Sequence, residues 1–401
     1  MPDADLDFDH DEAIARLMRF LAVEGVTGQE AAIGREVVAV LTAAGIPRRA
    51  IRFDDAHQRI PLPTETGNLI VTLPGTVAGP RRLFMTHLDT VPLCAGARPV
   101  RKGNRIVAAG KTALGGDDRT GVACLATVAA TLQQRQLPHP PLTFLFTVRE
   151  ESGLWGARYV DLADLEHPAE GFNADGRSPA ELTVGAVGAD SWEVEITGRA
   201  AHAGVHPEQG ISATLVAALA LADIFDGGWF GKVRRDGKEG TSNVGVFGGP
   251  DGRSAGVATN VVTDYVRIEG ESRSHDMGFC KAITSAYREA FRAAGTCVRD
   301  DRGRRARVRF RAQREYYPFR LKPTAPVVRH ALAAAEKAGV QPRLRVGNGG
   351  LDANWMVRHG LPTVTFGAGQ NNIHAIGEYV ELADFTAACR LGLALATLET
   401  V

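Results

Sequence analysis

The residues most suited to chemistry are a histidine and an aspartate two positions apart, His87 and Asp89, in the segment 85–92 that directly follows the apolar run Leu83-Phe84. Side chains alternate between faces along a β-strand, so these two point the same way if the strand continues through them. An imidazole whose second nitrogen is held by a carboxylate is fixed in the tautomer that binds a metal ion. The pair alone is a weak signal, but four further clusters of acidic or histidine residues follow, each at the end of an apolar segment.

Two of these clusters are pairs of carboxylates. Asp117 and Asp118 follow two glycines and precede a helical pattern. A single aspartate at this place is well explained as a helix cap. For two adjacent aspartates, a cation site is at least as good an explanation as a cap. Glu150 and Glu151 end an apolar strand at 142–148, where open α/β sheets bind ligands. Because consecutive side chains point in different directions, one glutamate can bind a metal ion while the other faces a substrate as a base. An exposed acidic turn is the equally weighted alternative.

Asp175 and His374 complete the series, although each alone would pass for a turn aspartate or a surface histidine. The argument rests on the set, because side chains just beyond the strand ends of one sheet can converge. Two histidines and three carboxylates suit two divalent metal ions that share a bridging carboxylate, with Zn²⁺ favoured by the imidazoles and Mn²⁺ or Co²⁺ as alternatives. The expected metal ligands are His87, Asp117, Glu151, Asp175 and His374.

The elements that must position these residues alternate between strand and helix. That order predicts an α/β domain with a mostly parallel sheet and helices on both faces. Strands are expected at 68–73, 82–86, 142–148 and 362–366, and helices at 14–21, 119–132 and 382–398. The spacing of Thr27 and Glu30 predicts a capping box before a further helix that ends near Ala44.

The middle of the chain follows a different order. Its apolar patterns predict the succession β-α-β-β-α-β, which is the ferredoxin-like α+β arrangement. We therefore predict an inserted lid domain at 188–318, and one catalytic α/β domain made of 1–187 and 319–401. Arginines alternate with apolar residues from Arg305 to Arg311, and a solvated strand face explains them better than a nucleic-acid site, because the net charge is zero.

Composition excludes several classes of partner. Lys+Arg and Asp+Glu are equal at 46 each, so bulk charge does not favour nucleic acid or an anionic membrane. No apolar run approaches the roughly 18 residues of a membrane span. The acidic N-terminus lacks the basic start and apolar core of a signal peptide, and the five scattered cysteines are typical of reduced, mostly buried thiols. The expected location is therefore the cytoplasm.

The motifs HLDTVP (87–92) and GGDDRTG (115–121), the Glu-Glu pair and the C-terminal histidine resemble, in this order, those of the zinc-dependent exopeptidases. That family includes peptidase T, glutamate carboxypeptidase, aminoacylase and succinyl-diaminopimelate desuccinylase, and the resemblance covers nearly the whole chain. It implies that His87 and Asp175 bind one metal ion, that Glu151 and His374 bind the other, and that Asp117 bridges them.

The resemblance also implies roles for the residues around the metal ions. Asp89 would orient the histidine that precedes it, and Glu150 would be the general base. A cis peptide bond is expected between Asp117 and Asp118. In the small domain, the segment GRAAHAG (198–204) resembles the lid histidine motif of the family, which implies that His202 reaches the scissile carbonyl oxygen.

Five further residues resemble substrate-binding positions of the family. Asn260 and Arg273 match its asparagine and arginine, with a surface salt bridge as the alternative for the arginine. Gly349, Gly350 and Asp352 match the Gly-Gly-x-Asp segment of the peptidase T-like branch. Peptidase T has an arginine before those glycines where this chain has an asparagine, and this departure puts strict tripeptide specificity in question.

The activity implied by the resemblance is that of a di-zinc aminopeptidase acting on short peptides. An N-acyl-amino-acid hydrolase or a carboxypeptidase on the same scaffold is the alternative within the enzyme class. A non-catalytic metal-binding scaffold is disfavoured, because every ligand and base position is filled. Family lid domains often pair, so a homodimer through the small domain is expected, with the lid histidine supplied by the same chain or by the partner.

Overall fold

The computed structural model describes residues 6–249, 254–256 and 258–399. The chain divides into two compact units, one made of the residues up to Ala186 together with those from Phe319 onward, and the other of Val187–Pro318. These boundaries lie within one residue of the domain limits expected from the change in sequence pattern.

The strands are β1 (Ile51–Phe53), β2 (Leu69–Leu73), β3 (Arg82–His87), β4 (Pro99–Lys102), β5 (Arg105–Ala108), β6 (Leu142–Thr147), β7 (Glu170–Ala174), β8 (Glu181–Ala186), β9 (Gly188–Thr197), β10 (Gly231–Arg235), β11 (Lys238–Gly248), β12 (Tyr265–Ser274), β13 (Arg307–Tyr316), β14 (Phe319–Arg320), β15 (Arg343–Val346), β16 (Thr363–Phe366), β17 (Gln370–Asn371) and β18 (Tyr379–Glu381). The helices are α1 (His10–Leu21), α2 (Ala31–Ala43), α3 (Ala56–Arg59), α4 (Gly116–Arg135), α5 (Trp155–Tyr159), α6 (Ala213–Asp226), α7 (Met277–Cys297), α8 (Pro326–Lys337), α9 (Asp352–Arg358) and α10 (Leu382–Thr397). The second unit contains β9–β13, α6 and α7.

The large sheet of the first unit runs in the order β1-β2-β6-β3-β7-β16-β8-β14, and β15 also pairs with β8. Its centre is parallel, since β6 pairs with β3, β3 with β7, and β7 with β16 in this sense. Every residue of β3 and β6 is buried, so both faces of the sheet are covered there. The predicted α/β class is confirmed. Because parallel strands end at the same edge, the residues that follow β3, β6, β7 and β16 can meet.

Packing of aromatic residues and of α4 fixes this edge. The ring centroids of Phe84 and Phe144 lie 5.4 Å apart and those of Phe84 and Phe172 lie 5.6 Å apart, which joins three neighbouring strands. Each fully buried phenylalanine contributes about 1.5–3 kcal/mol. α4 contacts β3, α1 and α10 and is buried along most of its length. Its first turn is irregular, because Asp117 and Asp118 have non-helical backbone angles.

Two details of the first unit differ from the expectations. The capping box is wrong: the Thr27 hydroxyl donates to Ser152, and α2 starts without a side-chain cap. The carboxylate of Glu30 instead accepts the backbone N–H groups of Gly28 and Arg149, at 2.7 and 3.1 Å, because it is buried and serves a tertiary contact. Two strands beyond those expected, β4 and β5, lie in the connection before α4 and join β17 and β18 in a small sheet.

The second unit is an antiparallel sheet in the order β10-β11-β12-β9-β13 with two helices. Four of its strands, in the order β11-β12-β9-β13, follow the ferredoxin-like arrangement. The edge strand β10 was not expected, because its polar sequence lacks the apolar alternation of a half-buried strand. Two arginines of β13 are ion-paired with β9: Arg309 lies 3.4 Å from Glu195 and Arg311 lies 3.1 Å from Glu193. They form a charge ladder with β9.

Within residues 6–249, 254–256 and 258–399, no helix is both long and apolar enough to cross a membrane. All five cysteines lie in this part of the chain and are free thiols. Cys297 is exposed and the other four are buried, as the sequence pattern predicts.

Candidate metal centre

The end of β3 delivers His87 into a fixed environment. Its Nδ1 lies 3.0 Å from the backbone oxygen of Asp89 and 3.5 Å from the Asp89 carboxylate, and its Nε2 lies 3.1 Å from Oδ1 of Asp117. The Asp89 carboxylate also accepts the backbone N–H groups of Glu150 and Glu151, at 3.0 and 3.2 Å. The backbone oxygen of Asp89 thus contacts the imidazole, and its carboxylate holds the backbone of the Glu-Glu pair.

Asp117 lies between the two histidines. Its Oδ1 faces His87, and its Oδ2 lies 3.2 Å from Nε2 of His374. The same nitrogen of His374 lies 2.9 Å from Oε1 of Glu151. The peptide bond between Asp117 and Asp118 is cis, as expected. A carboxylate whose two oxygens face different histidines has the arrangement that a bridging ligand requires.

Asp175 joins the cluster from the end of β7. Ligand atoms of His87, Asp118 and Asp175 lie within 4.8 Å of one another, as do those of His87, Asp117 and Glu151. Asp118 was not expected in a ligand group. Its carboxylate accepts the backbone N–H of Gly121 at 3.0 Å and the hydroxyl of Thr86, so it holds the first turn of α4. These bonds engage the carboxylate of Asp118, and the carboxylate of Asp175 accepts a hydrogen bond from Gln370 at 3.1 Å.

Burial and mutual repulsion shift the pKa values of the carboxylates. Burial raises the pKa of Glu151 to about 7, and burial together with the charge of Asp117 raises the pKa of Asp175 to about 6. Burial also raises the pKa of Glu150 well above its usual range. So many buried acids in one place favour a bound cation, which would relieve their repulsion.

The histidines are coupled to the same acids. Burial acts to raise the pKa of Asp117, but hydrogen bonds from His374 and His87 hold it below its usual range. Hydrogen bonds with Asp117 and Glu151 raise the pKa of His374 to about 10. Burial acts to lower the pKa of His87, but the charge of Glu150 and the contact with Asp117 raise it well above its usual value. Imidazole nitrogens and carboxylate oxygens this close together fit two divalent ions of the zinc, cobalt or manganese type.

Asp352, expected to bind substrate, lies at the start of α9 and is only 1% exposed. It accepts a hydrogen bond from the hydroxyl of Thr147, the last residue of β6. Burial raises its pKa to about 7. Its Oδ1 atom is buried without a hydrogen-bond partner among the described residues, and the substrate role of Asp352 stays a prediction. Gly349 is exposed, and Gly350 is half-buried in the same loop before α9.

The second unit holds three expected residues. His202 is exposed, and its Nδ1 accepts the backbone N–H of Gly204 at 3.1 Å, which leaves Nε2 as the nitrogen that carries a proton. The backbone at His202 forms an isolated β-bridge with Val261, and the backbone oxygen of Asn260 accepts the backbone N–H of Ala203 at 2.9 Å.

Arg273 of β12 is half-buried and donates to Glu271 at 2.8 Å, which is the salt bridge that the sequence left open as an alternative. Its Nε is buried without a hydrogen-bond partner among the described residues. The guanidinium thus retains an unused donor.

Sequence reasoning missed three buried residues that support the centre. Gln370 donates to Asp175 at 3.1 Å, Glu378 accepts three backbone N–H groups around Asp117, and Glu30 holds Arg149, next to the Glu-Glu pair. Gln370 and Glu378 lie four residues on either side of His374, and this proximity is the signal that the sequence offered.

Comparison with known proteins identifies similar chains. Residues 83–397 match the sequence profile of the family described as Peptidase family M20/M25/M40. The chain is 33% identical over 330 residues to the uncharacterized protein YqjE of Bacillus subtilis (strain 168), covering 82% of this chain and 84% of that protein.

Two crystal structures are also similar. Aminopeptidase PepT from Bacillus cereus ATCC 10987 has a TM-score of 0.81 at 31% identity, covering 97% of this chain and 98% of that chain. A tripeptidase from Staphylococcus aureus subsp. aureus Mu50 has a TM-score of 0.86 at 26% identity, covering 98% of both chains. The similarity extends over both units of the chain.

Proposed function

Because the chain belongs to peptidase family M20/M25/M40 and is thus a metal-dependent exopeptidase, we propose that it is a di-zinc aminopeptidase that releases the N-terminal residue of short peptides. The observation that carries the dinuclear centre is the position of Asp117, whose two oxygens lie 3.1 and 3.2 Å from Nε2 of His87 and of His374. The choice of peptides as substrates is supported by the relatives named aminopeptidase PepT and tripeptidase.

Five residues would hold the ions. His87 and Asp175 would bind one, Glu151 and His374 the other, and Asp117 both. When bound, two such ions lower the pKa of a water and polarise a carbonyl oxygen. Zinc is favoured because two of the ligands are imidazoles, and cobalt and manganese remain the alternatives.

Glu150 would move the proton. It is the glutamate of the pair that has no ligand role, and its backbone N–H is held by Asp89 at 3.0 Å. Its carboxylate takes the proton of the attacking water and delivers it to the departing amine. A raised pKa suits this exchange, because a base that later acts as an acid works best with a pKa near the working pH.

The second unit would bind the substrate. In its neutral form His202 carries its proton on Nε2, since Nδ1 accepts from Gly204, and this N–H can donate to the carbonyl oxygen as negative charge develops there. Asn260, on the segment paired with the His202 loop, and Arg273 would bind the rest of the peptide. Arg273 would have to give up or share its contact with Glu271. Gly349 and Gly350 would contribute backbone groups from the first unit.

A substrate panel tests the proposal. The purified chain is offered di- and tripeptides with free amines, N-acetylated amino acids, and N-blocked peptides with a free C-terminus, each with and without chelator. Chelator-sensitive release of N-terminal residues supports the aminopeptidase. Cleavage of only acylated or only N-blocked substrates would contradict it and favour the acylase or the carboxypeptidase. Absence of turnover with two metal ions bound would favour the scaffold protein.

The second unit would also carry the expected homodimer contact. The outer face of α6 exposes Leu215 at 49% and Leu219 at 43%, and Phe225 at its end is 71% exposed. Exposed apolar side chains four residues apart form a stripe that a second copy can cover. Light scattering should give the mass of two chains, and the Leu215→Glu, Leu219→Glu double variant should give the mass of one. A monomeric wild-type chain would contradict this part of the proposal.

A further inference from the structure

A buried glutamate, Glu378, contacts the turn that presents Asp117. It is 2% exposed and lies four residues after His374. Its Oε2 accepts the backbone N–H groups of Leu114 and Gly115, at 2.7 and 2.9 Å, and its Oε1 accepts that of Asp117 at 3.1 Å. One carboxylate thus accepts three hydrogen bonds from one turn of the chain.

The turn is built around this carboxylate. Gly115 has a φ of +82°, a conformation that glycine adopts without strain. A Cβ at Gly116 would lie 3.1 Å from Oε1 of Glu378 and 3.1 Å from Val380, so a side chain there would require one of them to shift by a few tenths of an ångström. The two glycines before the aspartates therefore serve the approach of Glu378 as well as the bend of the chain.

Only a carboxylate satisfies this geometry. All three groups that face Glu378 are N–H donors, and both of its oxygens accept. A glutamine would turn an NH₂ group toward at least one of them, which would leave a buried donor unpaired. The short segment from His374 to Glu378 therefore supplies one ligand and also fixes the backbone of another.

We infer that Glu378 is a positioning residue that sets where Asp117 lies between the two histidines, and that it thereby determines the affinity of the dinuclear centre. This inference rests on the proposed function, because it assigns Asp117 the bridging role. Glu378 acts through the backbone of Asp117, since its carboxylate accepts from the backbone N–H groups of Leu114, Gly115 and Asp117. Its removal should therefore weaken metal binding, in addition to any effect on folding.

Zinc affinity of Glu378→Gln, measured by competition with a chromophoric chelator, tests this inference without reference to turnover. The expected loss is about tenfold to 100-fold, as for other residues that orient metal ligands. Glu170→Gln is the matched control, since Glu170 is also buried and pairs with His330 at 2.7 Å and Arg82 at 3.3 Å, at the opposite end of β7 from Asp175. The control should unfold at a lower temperature and keep the wild-type affinity for zinc.

An affinity of Glu378→Gln within a few-fold of wild type, or an equal loss in Glu170→Gln, would overturn the inference. If Glu378→Gln does not fold, Glu378→Asp decides the same question, because its shorter side chain withdraws the carboxylate from the three N–H groups while the charge is retained. Wild-type affinity of that variant would also overturn it. Failure of the proposed function looks different: the wild-type chain would then bind two zinc ions and release no N-terminal residue, and the comparison of affinities would still stand.

Discussion

The Oδ1 atom of Asp89 accepts the backbone N–H of Glu150 at 3.0 Å and lies 3.5 Å from Nδ1 of His87. One oxygen therefore connects the end of β3 with the turn that follows β6. The orientation of a proposed metal ligand and the position of the proposed base depend on the same buried carboxylate. Changes at Asp89 should consequently affect metal binding and proton transfer together.

Asp89→Asn is expected to weaken zinc binding about tenfold to 100-fold, because an amide cannot accept from both backbone N–H groups and also hold the histidine. Chelator competition measures the affinity, and peptide hydrolysis at saturating zinc measures the remaining effect on the base. Asp54→Asn is the control, since Asp54 likewise accepts the N–H groups of Ala56 and Asn68, at 3.0 and 2.7 Å. Equal effects of the two substitutions on zinc affinity would argue against a special role for Asp89.

Glu150→Gln should reduce kcat by about 10²–10⁴ and leave both zinc ions bound, because it removes proton transfer and no ligand. Metal content by mass spectrometry and steady-state kinetics are measured on the same preparation. Glu166→Gln changes an exposed acid that pairs with Arg81, so it should match wild type in both measurements. A variant at Glu150 that keeps its turnover would exclude this residue as the base.

His202→Ala should lower kcat by about 10²–10³, the usual loss for removal of one oxyanion donor. Zinc affinity should not change, since the residue is not among the expected ligands. His206→Ala is a matched control in the same loop, where the imidazole lies 3.1 Å from Glu208. A loss expressed only in KM would show that His202 binds the substrate without stabilising the transition state.

Glu181 provides a pH-dependent contribution to stability away from the proposed centre. Its carboxylate accepts from Arg177, Arg343 and Arg345, and despite the cost of burial these arginines lower its pKa. A lowered folded-state pKa stabilises the protein above the unfolded-state value of roughly 4.3, and this stabilisation is lost as the pH falls through the folded-state pKa.

Glu181→Gln should therefore reduce the free energy of unfolding by about 1 kcal/mol at pH 7, since the arginines are largely exposed, and by progressively less below pH 4. Denaturant titrations at several pH values measure the difference. Glu65→Gln, at an exposed position, should show no such trend. A difference that does not depend on pH would mean that packing, and not charge, accounts for the effect of Glu181.

Sequence alone determined the architecture of the first unit and the identity of the chemistry-bearing residues. Continuous apolar runs such as 142–148 favour a buried strand, and strand-helix alternation favours parallel pairing, so the edge of the sheet could be predicted. His87 and Glu151 could be proposed as ligands because each lies at or just beyond the end of such a strand, and Asp117 because it belongs to a pair of carboxylates before a helix. Their types already indicate divalent metal ions. These inferences depend on local patterns that a single stretch of chain contains.

Tertiary structure decided how these residues are held. Glu30 resembles a helix cap, yet its carboxylate accepts the backbone N–H of Arg149, and the carboxylate of Asp352 accepts from the Thr147 hydroxyl. Glu378 accepts hydrogen bonds from a turn more than 260 positions earlier, at Leu114. Backbone N–H groups carry no sequence signature, so the partner of a buried carboxylate is fixed only when distant segments pack together and exclude water.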